Sequence, residues 1–268
     1  SAKYDAEGST GIINIITKKA SLEGISGSLS MGVGTRQNSG NANINAKTGR
    51  LSLTSNLGSN FMWPTKSEFT FNRANLNRDT LFNQRGESTT KRVSVNGSLN
   101  ANYDFNKYNS ITSSIKLNRF QFVLNGFNLN QNLLGSNSIS YDRNSKNNNR
   151  VLGYDWNNSF THKFKKEGQE ISAGAQLSNS NLLNKYSSGF VFNSFVPDSS
   201  EFGNSNAKNH EATFQIDYIH PFKNVVVETG AKTILRDIRN DSEVESYFPQ
   251  SNTTNTLNGR NFIYDYSQ

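Results

Sequence analysis

Arg92 to Asn106 reads Arg-Val-Ser-Val-Asn-Gly-Ser-Leu-Asn-Ala-Asn-Tyr-Asp-Phe-Asn. Its odd positions carry Val93, Val95, Gly97, Leu99, Ala101, Tyr103 and Phe105, and its even positions Ser94, Asn96, Ser98, Asn100, Asn102 and Asp104. Successive side chains of a strand point to opposite faces, so this period of two gives one oily and one wet face. The split recurs over Glu211 to Tyr218, where Ala212, Phe214, Ile216 and Tyr218 alternate with Glu211, Thr213, Gln215 and Asp217. It recurs again from Ile171 to Ser178, and from Val225 to Leu235 with Glu228 and Lys232 on the polar side.

Composition decides what lies against the oily face. Of 268 residues 33% are hydrophobic, and the polar remainder is rich in Asn, Ser and Thr. That is too little apolar matter for a conventional buried core. A transmembrane barrel escapes the shortage, because lipid covers its apolar face while water and a plug cover the polar one. No run approaches the ~18 to 20 apolar residues of a spanning helix. The longest candidates, Ile12 to Ile16 and Val225 to Val227, are strand-sized. Ser1 opens a polar segment without the charged and apolar regions of a leader, so an export signal is expected upstream of it.

The absence of Cys removes disulfides, thiolate metal sites and cysteine nucleophiles together. The net charge of +7 is scattered over strand ends and loops rather than gathered into a patch. It implies no nucleic acid, and directs attention to outer-membrane lipids and lipopolysaccharide phosphates as partners.

Read as strands, the chain gives 24–34, 40–47, 51–61, 92–106, 109–124, 154–165, 170–186, 210–220 and 224–239, with a tenth starting at Asn261. Short turns near 47–50, 106–109, 165–168 and 221–224 alternate with long polar loops over 62–91, 125–153, 187–209 and 240–260. The first hairpin, near 35–39, has a brief connection at the long-loop end. Outer-membrane barrels carry short turns on the periplasmic side and long loops outside, so the alternation orients the sheet. Tyr103, Phe105, Phe160, Phe164, Tyr218 and Phe222 flank the short turns. Phe61, Trp63, Phe120, Phe122, Tyr154, Trp156, Phe262, Tyr264 and Tyr266 lie toward the other end. Two aromatic girdles are therefore expected.

The segment ahead of the first barrel strand differs in character. Tyr4-Asp5-Ala6-Glu7-Gly8-Ser9-Thr10-Gly11-Ile12-Ile13-Asn14-Ile15-Ile16-Thr17-Lys18-Lys19 holds a short strand apolar on both faces, as in a small globular core. This stretch resembles the last plug strand of TonB-dependent outer-membrane receptors, closely over residues 2–19, with the remainder similar in pattern alone. The resemblance implies a barrel of twenty-two strands filled by a plug, nutrient import, and coupling to TonB through a short box that precedes this sequence. It divides the chain into the end of a plug domain, 1–20, and the N-terminal part of an outer-membrane barrel, 21–268. The expected architecture is all-β: an antiparallel transmembrane barrel meander of about ten strands, partial, open and curved, after the last plug strand. Its unpaired edges are tolerated poorly in hydrocarbon.

No Gly-x-Ser-x-Gly, phosphate loop or His-Glu-x-x-His pattern occurs, and Gly32-Val33-Gly34 is too short for a nucleotide fingerprint. His162, His210 and His220 lack ligand spacing, and His162 and His220 lie near turns, where an interfacial position is expected. Asp217 and Glu228 share the polar face with Lys232 and Arg236, fit for ladders across strands or for plug contacts. No enzymatic activity, catalytic residue, cofactor or metal ligand is assigned. If ligand is bound, the loops should carry it, above all 62–91 with Trp63, Phe69, Phe71, Arg73, Arg78 and Arg85, whose aromatic and Arg side chains suit sugars and anionic siderophores. The individual ligand-binding residues stay undetermined at this point.

The expected function is uptake of a ferric siderophore, cobalamin or glycan by a TonB-dependent receptor in the outer membrane of a Gram-negative bacterium. A passive porin and a secreted Asn/Ser-rich β adhesin are the alternatives.

Overall fold

In the computed structural model, which describes residues 23–76, 80–134, 137–193, 196–257 and 260–267, alternation becomes strand pairing. The strands are β1 (Gly24–Gly32), β2 (Gln37–Thr48), β3 (Leu51–Asn75), β4 (Thr80–Asp104), β5 (Asn109–Leu134), β6 (Asn137–Lys163), β7 (Glu170–Phe192), β8 (Ser199–Pro221), β9 (Val226–Phe248), β10 (Thr253–Thr256) and β11 (Phe262–Ser267). They form one antiparallel sheet in which each strand pairs with the next, while β10 and β11 both lie along β9. Among the described residues the sheet is open, with β1 paired to β2 alone. The plug-like segment within 1–20 and Arg78 lie outside the described residues.

The register carries the tilt of a barrel wall. Ladder neighbours run from Leu51, first residue of β3, through Tyr103, Ile111, Phe160, Ala173 and Ile216 to Ala231, sixth residue of β9. A slip of about five residues over six strand-to-strand steps, at about 3.3 Å per residue and 4.8 Å between strands, inclines the strands by about 30°.

Directly paired residues share a face, so pairing also tests the alternation. One row joins Ile44, Ser55, Leu99, Ile115, Trp156, Leu177, Ala212 and Leu235. Leu99 is 46% exposed and Leu235 53%. Among the described residues Val244 is the one buried apolar side chain, so this sheet has no oily core and turns its grease outward. The buried polar residues Asn128, Asn130, Ser188, Thr213 and Asp217 all belong to the opposite, concave face.

The four long loops are corrected by the structure. β3 to β6 run 25 to 27 residues and β7 to β9 run 23, so hairpins continue through most of 62–91, 125–153, 187–209 and 240–260. Such strands are about 80 Å long, whereas about 9 to 11 residues cross a bilayer. Beyond the membrane both faces meet water, which removes the apolar alternation while leaving the backbone ladder intact. The tenth strand expected from Asn261 is β11, and a short additional strand, β10, pairs with β9 within the expected 240–260 loop; between the two the Asn261 side chain accepts from the Val244 N–H. Pro64, which has no N–H, falls at a bulge between Met62 and Thr65 that exchanges the two faces of β3. The short turns stand as read: Gly49 and Gly168 take positive φ, and the Asn106 side chain accepts from the N–H groups of Tyr108 and Asn109 at 2.8 and 2.9 Å.

Candidate functional site

At the turn end the aromatic girdle is a connected band. His162 and Phe164 lie 4.7 Å apart, Phe164 and Tyr218 6.2 Å, Tyr218 and His220 5.9 Å, and His220 and Phe222 4.6 Å. Lys166 Nζ sits 3.2 Å from His220 Nε2 and over the Phe222 ring, while Gln169 donates to the Tyr218 hydroxyl at 2.7 Å. This is the arrangement of rings and cations at a membrane interface, and it holds both turn-proximal histidines.

The second girdle is incomplete. Phe61 and Trp63 meet edge to face at 4.6 Å on the outer side. By register Phe120, Phe122, Phe262, Tyr264 and Tyr266 fall on the inner face, and Arg92 lies over the Phe122 ring. Tyr154 and Trp156 face outward lower down, where Trp156 satisfies its indole N–H on Ser113 Oγ at 3.2 Å. Position along the chain revealed height here, but the face depends on parity.

Of the residues in the expected ligand loop, Phe69, Phe71 and Arg73 stand on the concave face of β3, and Arg85 on the outer face of β4. Phe71 and Phe82 are 6.2 Å apart. Across the sheet their rows continue into residues the sequence reading left unremarked. One joins Phe71, Gln84, Asn130, Tyr141 and Phe192, and the next joins Phe69, Gly86, Asn128, Arg143 and Phe190. Tyr141 lies 5.2 Å from Phe192 and 6.1 Å from Phe190, and the Phe190 and Phe192 rings stack at 6.5 Å. The Arg143 guanidinium covers Phe190 and donates to Ser188 Oγ at 3.0 Å, while its Nε is buried without a partner. Gln84 donates to Asn130 Oδ1 at 2.9 Å. Six rings, a guanidinium with a spare donor and a ladder of amides thus share one concave surface.

That surface is braced below. Tyr186 lies flat over Gly203, where a Cβ would come within 2.0 Å of the ring, and its hydroxyl donates to Glu201 Oε1 at 2.8 Å. Arg260 holds the other Glu201 oxygen at 2.6 Å. Desolvation, then the hydrogen bond and charge of Glu201, raise the Tyr186 pKa above its ordinary value. Lower on the same face, Glu211 pairs with Arg236 at 2.7 Å and Gln215 donates to Asp217, so a charged ladder forms with Glu211 as the partner the sequence did not single out. Glu228 lies opposite Ile219 and Lys232 opposite Gln215.

The chemistry of the concave wall is recognition: rings for apolar ligand faces, amides and a guanidinium for oxygen atoms. No curated protein and no solved structure matches the chain. Residues 162–268 match the outer membrane protein beta-barrel family, and with the tilted, outward-oily meander this makes the chain part of the wall of an outer-membrane β-barrel of a Gram-negative bacterium.

Proposed function

We propose that this wall belongs to a TonB-dependent receptor that imports a scarce extracellular nutrient. The observation that carries the reading is the order of the chain: a plug-like segment, Tyr4 to Lys19, directly precedes the first strand of an open barrel wall. The edges of that wall require further strands for closure in hydrocarbon. Ligand is captured on the concave wall around Arg143, Tyr141, Phe190 and Phe192, and movement of the plug, driven through TonB, opens the path inward. The chain is a transporter and carries out no chemistry on its cargo.

Planar-bilayer conductance of the full-length protein tests this without knowing the cargo. A plugged receptor shows no steady conductance until the plug is deleted. Steady conductance of the intact protein, unchanged by that deletion, identifies a passive porin and refutes the proposal.

A further inference from the structure

Above the oily band, the outer face of the wall carries one cation on each of six consecutive strands. By register Lys66 of β3, Lys91 of β4, Arg119 of β5, Arg150 of β6, Lys185 of β7 and Lys208 of β8 all point outward, and all are exposed. Each closes the run of apolar outward residues that starts at the short turns, as Lys91 stands beyond Val93 and Val95, and Lys185 beyond Leu183, while scattered outward apolar residues such as Leu129, Val191 and Phe202 recur farther out. From the turn-end girdle to this belt is about ten to twelve residues, as from Tyr218 to Lys208 and from His162 to Arg150, or about 30 Å across the membrane after tilt. The belt therefore lies at the outer head-group level.

Its charge is uncompensated within the sheet. Among the described residues none of the six has a carboxylate at ion-pair distance, in contrast to Arg239, held by Asp241 at 3.1 Å. Lys208 lies directly opposite Arg239, a like-charge pair that a sheet disfavours. Immediately above, with most of its lining side chains on the outer face, a groove of about 450 Å³ is bordered by Thr89, Asn125, Lys146, Ser187 and Phe202. It offers hydroxyls, amides, the Lys146 cation and two rings, Phe127 and Phe202, beside the Glu87 carboxylate, a set suited to sugars.

We propose that the belt binds the phosphate groups of lipopolysaccharide in the outer leaflet, and that the groove above takes the adjoining sugars. Continuity with the lipid-facing band selects a lipid as the occupant, and the phosphorylated sugars of this lipid match both the cations and the groove. The inference rests on the outer-membrane placement and is independent of energy coupling.

The test is retention of lipid A by the full-length protein in detergent, read by native mass spectrometry. Bis-phosphorylated lipid A should be held at least about tenfold more tightly than its dephosphorylated form. The combined variant Lys91→Gln, Arg119→Gln, Arg150→Gln, Lys185→Gln should lose a similar factor, while Lys116→Gln with Lys232→Gln on the inner face should change retention less than about twofold. Equal retention of both lipid forms overturns the proposal without reference to any variant. So does an undiminished outer-face variant, which would assign the belt to an acidic protein partner, or equally tight retention of phosphatidylglycerol, which would assign it to phospholipid at large.

Discussion

Leu99 and Asn100 are adjacent in sequence and opposite in environment, so they isolate what each face requires. Leu99 lies near the middle of the outward row, and Leu99→Arg should cost about 2 to 4 kcal/mol in a bilayer, whereas Asn100→Arg, facing the lumen, should cost little. Urea unfolding in liposomes measures both, and equal penalties would contradict the assignment of faces. Tyr186 supplies a second test at this scale, outside the membrane. Its pKa is raised in the folded state by desolvation and by Glu201, so the folded protein holds the phenolic proton more tightly than the unfolded chain. The associated stability is complete below the unfolded value near 10 and is lost as pH climbs through the folded value. Glu201→Gln should move the phenolate absorbance of Tyr186 toward lower pH, and no displacement would mean that desolvation alone sets the shift. Gly203→Ala should unseat the Tyr186 ring and cost about 1 to 3 kcal/mol, because the added Cβ meets the ring itself.

At the scale of elements, the membrane-crossing parts of the strands were legible and their extensions were not. Lipid on one face and water on the other writes a period of two, as over Val93 to Phe105, and tight turns such as Lys47 to Arg50 carry their own glycine signal. Past the membrane, stretches such as Asn144 to Asn149 have water on both sides, and their Asn-rich composition reads as loop although backbone pairing continues to Asn137. The same blindness hid the candidate site. Tyr141, Arg143, Phe190 and Phe192 lie more than forty residues apart in pairs, and the register that joins them is invisible in composition. The bulge at Pro64 further reverses parity within β3, so the faces of Phe69 and Phe71 do not follow from those of Leu53 and Leu57. Amide exchange checks the extended ladder: Thr65 to Asn75 and Thr80 to Thr90 should be protected to nearly the degree of Leu51 to Phe61. Exchange at the rate of an unstructured loop would restore the shorter strands.

The described residues form a wall with two incompatible sides, and its tilt and sparse core follow from having lipid outside and water inside. The proposed capture on the concave face belongs to this scale too, since Arg143 gains meaning from three strands at once: its own, the Phe190 strand behind it and the Asn128 strand before it. Once a cargo is identified for the full-length protein, Arg143→Gln should weaken its binding by about tenfold or more while leaving the fold intact, because the guanidinium lies on the surface of the sheet rather than within its ladder. Calorimetric titration reads this, and unchanged affinity would move the capture site elsewhere.

The chain's lack of cysteine allows the central claim to be tested one residue at a time. Single cysteines at Leu99, Ile115 and Leu177 on one face, and at Asn100, Ser114 and Gln176 on the other, would each carry a fluorophore in the reconstituted full-length protein. Lipid-phase nitroxide should quench the first three and leave the second three, with aqueous quenchers barred from the first. Quenching that ignores this alternation, or water reaching all six positions alike, would contradict a barrel wall in the outer membrane.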